Sequence, residues 1–550
     1  MTWDNEQSRR PVAGRSVVST RLGIVAANHP VAAAAGVNML ERGGNAIDAA
    51  IAANAMMGLV EPASNGIGGD LFVLYNEAKT RKTLGLNAGG WAPAGLSTGF
   101  MRGEGFSEMP STGIHTVTVP GAVAGWDVLC TRLGTLPLRD ILAPAIHYAE
   151  QGFPITEVVA QGWTNCAERL TQHPATAKTY LIDGSPPRTG EIFRNPDLAS
   201  SLRRIAQSGR DGFYRGPTSK AMLRLSEELG GTMTAEDLER YEPEWVHPIS
   251  TIYRGWTIEE IPPNSTGIAA LLMLNIIEQF PLALWGFHSA RALHVMIEAK
   301  KLAFADLIRY IGDPKFSGVP VETLLAKDHA IRRARQINMN RAAAFVEPAH
   351  LSGYTDSAGH DTIYLCVIDS AGNIASLIQS IYMGFGSGLV PPETGFALHN
   401  RGALFTLEPN HPNTLMPRKR PLHTIIPGFM EKNGVRIGFG IMGGFNQPQA
   451  HAQFVANIAD FGLNIQEALE AGRFTKATFE GCDVSVEPLI PADVLRELES
   501  LGHELTVAPH RSGMFGWGHA VMGTPKGVHF GASEPRHDGA AIPQLGPYDA

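Results

Sequence analysis

Residues 363–368, Ile-Tyr-Leu-Cys-Val-Ile, form an unbroken apolar run rich in Val, Ile and Tyr. Such a run reads as a strand buried on both faces. Asp369-Ser-Ala-Gly-Asn373 follows with the chemistry of a turn, and Gly372 can take the left-handed position that closes a short hairpin loop. A second strand starts at Ile374. In an antiparallel hairpin with Asp369 facing Asn373, Thr362 lies opposite Ser380, so two hydroxyls meet about 4.5–5.5 Å apart at Cβ. A bulge at Gly372 would slip this register by one residue and turn Ser380 to the other face.

Elsewhere the pattern alternates between short strands and helices rich in small residues. Residues 1–20 read as a polar, disordered lead-in, followed by a strand at 23–27 and Ala-rich helices at 31–40 and 46–59. The many Ala and Met side chains of the second helix predict close packing on a sheet. Strands are expected at 71–75, 83–86 and 245–257, and helices at 122–133, 141–151, 268–278 and 289–310. Ser265 or Thr266 can cap the helix at 268. Residues 315–360 read as polar and irregular, with 352–359 a flexible, processable segment just before Thr362. Beyond the hairpin, strands are expected at 395–400, 424–430, 436–441, 484–488, 518–523 and 527–532. Helices are expected at 448–461, 465–471 and 491–501. Strands and helices without regular βαβ alternation suggest two sheets in layered packing.

Composition narrows the class. The chain has 550 residues, 44% hydrophobic and 18% charged, which suits a globular protein with a sizeable core. A net charge of −8 with no long basic run argues against nucleic acid as a partner. The glycines of Asn65-Gly-Ile-Gly-Gly-Asp70 lack the Lys-Ser/Thr of a phosphate loop and read equally as a tight turn feeding a strand. Cys130, Cys166, Cys366 and Cys482 have neither zinc nor disulfide spacing, and Cys366 in the apolar run reads as a small hydrophobe. No metal or other cofactor is expected. The N-terminus lacks the apolar region of a secretory signal, and no apolar stretch is long enough to span a bilayer, so a cytoplasmic location without membrane contact is expected.

Thr362 has two readings. A threonine at the start of a strand ordinarily does nothing chemical. If the Asp361–Thr362 bond is cut, however, Thr362 gains an α-amine with a reference pKa of about 7.7–8.0. One residue then carries both a nucleophilic hydroxyl and a base to activate it.

The whole chain decides between them. Gly43-Gly-Asn-Ala-Ile-Asp-Ala-Ala50, Gly66-Ile-Gly-Gly69, Val119-Pro-Gly121, Asp211-Gly-Phe-Tyr214, Tyr253-Arg-Gly255, Thr362 with its hairpin, Lys419-Arg-Pro421, Gly443-Gly444 and Gly531-Ala-Ser-Glu-Pro-Arg536 occur in an order and spacing that resemble the γ-glutamyltranspeptidase (glutathione hydrolase) family of N-terminal-nucleophile hydrolases. The resemblance implies an α+β fold, the four-layer αββα sandwich. It implies a precursor cut between Asp361 and Thr362 into a large subunit, 1–361, and a small subunit, 362–550, that stay associated and can oligomerise further. By the same resemblance Thr362 is the nucleophile, Ser380 takes the place of a second Thr that hydrogen-bonds it, and Gly443 and Gly444 supply the oxyanion hole.

The departures concern the glutamate pocket. Gly89 stands where the family carries an Arg that grips the α-carboxylate. Tyr382 and Leu404 replace the Asn and Asp that hold the carboxylate and the amino group; Arg401 replaces a Gln; His423 and Thr424 replace a pair of Ser. A Leu cannot pair with an ammonium, and a substrate ammonium buried without its partner is costly. The expectation is therefore an amide hydrolase acting through an acyl-enzyme, on an acyl group with a carboxylate and no α-amine, oxamate-like or glutaryl-like, with Arg401 as its partner. His423 reads evenly as a pocket residue or a buried structural histidine. The alternatives are a true γ-glutamyl hydrolase or transferase, and a catalytically silent binding relative; intact Thr362, Ser380, Gly443 and Gly444 weigh against the latter.

Overall fold

The computed structural model describes residues 14–347 and 361–546. Thr362 belongs to the third strand of a seven-stranded antiparallel sheet ordered Ala540–Pro543, Ile24–Ala27, Asp361–Ile368, Ile374–Tyr382, Asp70–Asn76, Thr83–Ala88, Glu244–Val246. A second sheet of seven antiparallel strands runs Val18–Thr20, His529–Ala532, Gly518–Gly523, Val435–Ile441, Gly428–Lys432, Trp256–Glu260, Ile249–Tyr253.

The two-residue period of the strands builds the layers. Ile363, Leu365, Val367, Ala375 and Leu377 face the outer helices Pro30–Glu41 and Ala46–Val60. Their neighbours Tyr364, Cys366, Ile368, Ile374 and Ile378 face inward and meet Phe429, Met442 and Val521 of the second sheet and its loop. That sheet turns Met430, Ile437, Phe439 and Ile441 outward onto the helices Gly267–Ile277, Ala290–Tyr310 and Asn446–Ala459. The result is helix, sheet, sheet, helix, the expected αββα sandwich. Close approach of the sheets requires Gly440, where a Cβ would lie 2.5 Å from the Tyr364 ring.

The helix Ala46–Val60 is buried along almost its whole length, as its Ala-rich sequence predicts. A reciprocal cap between Asn45 and Asp48 starts it. Asp369 of the hairpin turn accepts the Ala46 N–H at 3.1 Å, which ties the turn to this helix. All four cysteines are free, and Cys366 lies in the core between the sheets. Among the described residues no helix is long and apolar enough to cross a membrane.

Some expectations change. Val18–Thr20 is an edge strand rather than part of a disordered lead-in. Residues 395–400 are extended but join no ladder; His399 N–H instead bonds Gly68 C=O and Asn400 N–H bonds Ile381 C=O. The strand expected from 424 begins only at Gly428. Two short helices, Val321–Leu325 and Lys327–Ala334, occupy the region expected to be irregular. Thr266 sits at the cap of the helix Gly267–Ile277 without a side-chain capping bond, and Ser265 Oγ accepts the Gly267 N–H instead. The segment 352–359 lies outside the described residues.

Candidate active site

The hairpin register runs as expected from Ile363–Gln379 to Ile368–Ile374. The bulge falls at the open end of the hairpin, between Asp361 and Ile363, rather than at Gly372. Gly372 takes φ +84° and the turn is closed by the Asp369 side chain, which accepts the Asn373 N–H at 2.9 Å. The two hydroxyls therefore meet: Thr362 Oγ1 donates to Ser380 Oγ at 3.0 Å, with both residues buried between the sheets.

Ser380 Oγ is a convergence point. Besides Thr362, it accepts the Tyr382 N–H at 2.8 Å and Arg401 Nη2 at 2.9 Å. Arg401 opens a helical turn, Arg401–Leu404, and is fully buried. Its Nη1 donates to Thr424 Oγ1 at 2.8 Å, and its guanidinium lies 4.5 Å from the centre of the Tyr382 ring. Nε is buried without a hydrogen-bond partner. Burial pulls the Arg401 pKa down to about 10, against the opposing field of Asp70. Tyr382 itself holds φ +79°, an uncommon conformation for a bulky residue that costs about 1–3 kcal/mol.

Asp70 pairs with Ser380 on the adjoining strand. Its carboxylate accepts the Gly90 N–H at 2.9 Å and stands 3.0 Å from His423 Nε2 and 3.2 Å from His399 Nδ1. Burial opposes ionisation, but the two histidines outweigh it and hold the Asp70 carboxyl well below the usual range. His423 is pushed down to about 3 by burial and then by Arg401, against the pull of Asp70. It is thus a neutral ring donating through Nε2, and its Nδ1 accepts the Ile425 N–H at 3.4 Å.

Gly89 contributes no side chain, and the space above it is taken. A Cβ there would lie 3.1 Å from Phe72 and from Asn87 Oδ1, and 3.3 Å from His423 Cδ2. Gly443 and Gly444 have φ of +127° and +55° and link the strand Val435–Ile441 to the helix Asn446–Ala459. Among the described residues their N–H groups donate to no protein acceptor. Both polar atoms of the Asn446 amide are also buried without partners. A helix N-terminus with unspent donors favours negative charge. A cleft of about 780 Å³ borders this region, with Tyr382, Leu404 and Phe445 among its walls.

The structure thus links Thr362, Ser380, Tyr382, Arg401 and Thr424 through direct contacts; His423 bonds Asp70 on the adjoining strand, Gly89 lies beside His423, and Gly443 and Gly444 follow the strand Val435–Ile441 of the facing sheet. Sequence reasoning missed Asp70, His399 and Asn446. Asp70 was legible only as the end of a glycine-rich turn; a lone acid entering an apolar strand is the signal that it must be paired.

Among the described residues one group of side chains could hold a metal: buried His294, Glu298 and His503, whose ligand atoms lie within 4.8 Å of one another. These atoms are engaged with protein. His294 Nδ1 is 2.8 Å from His503 Nε2, its Nε2 is 2.9 Å from Asn338 C=O, and Glu298 takes Lys301 Nζ at 2.7 Å. His294 and Glu298 sit on the outer helix Ala290–Tyr310, and His503 follows the helix Ala492–Ser500.

The family model described as gamma-glutamyltranspeptidase matches residues 32–544. The chain is 35% identical over 535 residues to a glutathione hydrolase-like YwrD proenzyme of Bacillus subtilis, covering 96% of this chain and 99% of that one. It is 33% identical over 538 residues to an oxamate amidohydrolase proenzyme of Klebsiella pneumoniae, covering 96% and 99%. Among solved structures, a cephalosporin acylase from Bacillus halodurans superposes with a TM-score of 0.88 at 41% identity, covering 98% of this chain and 99% of that chain. The hydroxyl pair at the mouth of the hairpin, the layered sheets and these relatives agree: this chain belongs to the γ-glutamyltranspeptidase family and is an amide hydrolase of the N-terminal-nucleophile type.

Proposed function

We propose that the chain is a precursor that cuts itself between Asp361 and Thr362, and that the freed Thr362 hydrolyses a small amide whose acyl group carries a carboxylate and no α-amine. The observation that carries the acyl assignment is Arg401. It is a fully buried cation without a carboxylate in ion-pair range among the described residues, one hydroxyl away from Thr362, with Nε unpartnered. A buried charge in that state is costly until an anion joins it. The partner expected for a glutamate ammonium is missing, since Leu404 and the Tyr382 ring are apolar there.

The chemistry follows from the geometry. The α-amine of Thr362 takes the hydroxyl proton as Oγ1 attacks the amide carbon. The Gly443 and Gly444 N–H groups stabilise the oxyanion by a few kcal/mol each, to order of magnitude. Collapse expels the amine, which receives the proton, and water then cleaves the threonyl ester. Ser380, fixed by Arg401 and the Tyr382 N–H, orients the nucleophile. The subunits 1–361 and 362–550 would stay together after the cut, because both contribute strands to each sheet. The names of the Klebsiella and Bacillus halodurans relatives fit this reading.

Turnover of glutaryl amides, oxamate and γ-glutamyl anilide by the processed protein tests it. The expected order places glutaryl amide or oxamate well above γ-glutamyl anilide; preference for the γ-glutamyl compound refutes the acyl assignment.

A further inference from the structure

We propose that the Asn446 side-chain amide is a third donor to the oxyanion, beside the N–H groups of Gly443 and Gly444; the inference rests on the amide-hydrolase reading of Thr362. Asn446 opens the helix Asn446–Ala459 and is buried, yet among the described residues both its Oδ1 and its Nδ2 lack a protein partner. The other buried amides of that helix are bonded. Gln447 accepts the Ile426 N–H at 3.1 Å, Gln449 donates to Thr475 Oγ1 at 3.2 Å, Gln453 to Phe474 C=O at 3.0 Å and Asn457 to Ala468 C=O at 3.3 Å. An amide buried with neither atom used is costly, and a native fold that keeps one calls for a ligand or a water there. The exception is thus the amide at the helix end, next to the unspent glycine donors.

Its position ties it to the reacting carbonyl. Across the sandwich, Gly438 meets Ile374, the strand partner of Ile368, while Gly440 meets Tyr364. The strands Val435–Ile441 and Asp361–Ile368 therefore run in opposite directions, and Met442 and Gly443 come up to the level of Thr362. Phe445, between Gly444 and Asn446, lines the cleft. A Cβ on Gly443 would lie 3.4 Å from Asn446 Cβ and Nδ2, so the amide flanks that glycine. On its other side stands Gly516, where a Cβ would lie 3.0 Å from Nδ2 and 1.9 Å from the Met442 C=O. Side chains are thus kept off the amide on both sides. With neither atom committed, rotation about Cβ–Cγ can present Nδ2 to an anion, and the helix N-terminus adds to the same polarity. The oxyanion forms when Thr362 Oγ1 adds to the amide carbon and again when water adds to the threonyl ester, so one donor serves both halves of the reaction.

The test measures kcat and KM of wild type, Asn446→Leu and Asn446→Asp on a glutaryl amide, oxamate and γ-glutamyl anilide, counted per cut chain, with urea midpoints beside them. Asn446→Leu, similar in shape, should lose about 10²-fold in kcat with KM within about twofold, because the bond is made only in the transition state. Its urea midpoint should stay level or rise, since no protein bond is given up. Asn446→Asp should lose more at about pH 8, where a carboxylate faces the oxyanion. Relative to wild type at each pH, it should recover toward the Asn446→Leu level at about pH 6, as burial returns the proton to the carboxyl. A kcat within about threefold of wild type in Asn446→Leu overturns the inference and leaves the amide hydrolase standing. So does a loss that comes with a lower urea midpoint and an Asn446→Asp variant no worse than Asn446→Leu, the pattern of a structural amide held by water. If wild type turns over only the γ-glutamyl compound, the acyl assignment falls, and the same variants on that compound decide Asn446 by the same criteria. A processed wild type that hydrolyses none of the three overturns both.

Discussion

Arg401 Nη2 donates to Ser380 Oγ at 2.9 Å, and Thr362 Oγ1 reaches the same oxygen at 3.0 Å. The buried cation and the proposed nucleophile thus share one hydroxyl. Arg401→Met should lower kcat/KM on a glutaryl amide by about 10²-fold, since hydrogen bonds to charged groups are worth about 1.5–3 kcal/mol and one is lost to Ser380 and one to the substrate. On a butyryl amide, which has no carboxylate, the loss should be near tenfold. Arg401→Lys keeps the charge but not the fork, and should recover only part of the difference. Equal losses on the two substrates would remove the carboxylate from the argument and leave Arg401 as a positioning residue for Ser380.

Thr362→Ala should give a single uncut chain on a denaturing gel, because no hydroxyl is left to attack the preceding carbonyl. Thr362→Ser should cut more slowly and yield a small chain whose mass corresponds to 362–550. Cleavage of the Ala variant at the same bond would transfer the reaction to another group.

Gly89 and His423 compete for one volume. A side chain at 89 would press on Phe72 and on His423, whose rings stand 4.6 Å apart. Gly89→Arg should therefore destabilise the fold by about 1–3 kcal/mol, the usual range for overpacking. His423→Ser should relieve at least about 1 kcal/mol of that in the double variant, read as a coupling in urea unfolding of all four combinations. Additive effects would show that the loop carrying Gly89 moves aside instead.

The hairpin shows what was legible in advance. The apolar run 363–368 marks the strand, and the turn chemistry of 369–373, with Asp369 facing Asn373, sets which side chains face each other across the hairpin. The contact of Thr362 with Ser380 followed. The environment of Arg401 did not. It is assembled from three separate stretches, Asp70 at the start of a strand, His399 beside Arg401, and His423 with Thr424, and the last two lie on segments without a regular period. Residues 395–400 read as a strand for the same reason: buried extended chain looks alike in sequence whether its backbone bonds a ladder or, as here, isolated carbonyls at Gly68 and Ile381. The φ of +79° at Tyr382 left no trace in composition, since a turn there would ordinarily call for Gly or Asn.

Acid should weaken this fold earlier than carboxylate titration explains. His423 and His519 are fully buried, and burial first of all pushes both down to about 3. Arg401 adds to the depression of His423, and Asp70 opposes it. In the unfolded chain each takes up a proton near pH 6.5, while in the fold each stays neutral to about pH 3. The unfolded state therefore binds more protons throughout that window, and stability falls as pH drops through it; above pH 6.5 the two histidines contribute no slope. At pH 5 each costs about 2 kcal/mol relative to pH 8, to order of magnitude. Asp70, held below the usual carboxylate range, adds its own loss only below about pH 4. The urea midpoint at pH 5 should accordingly lie well below that at pH 7.5. His423→Gln should remove about one proton from the slope, even though it gives up the bond to Asp70 and lowers stability at both pH values. An unchanged slope in that variant would mean that His423 is protonated in the fold and forms an ion pair with Asp70, which would also place a second cation beside Arg401.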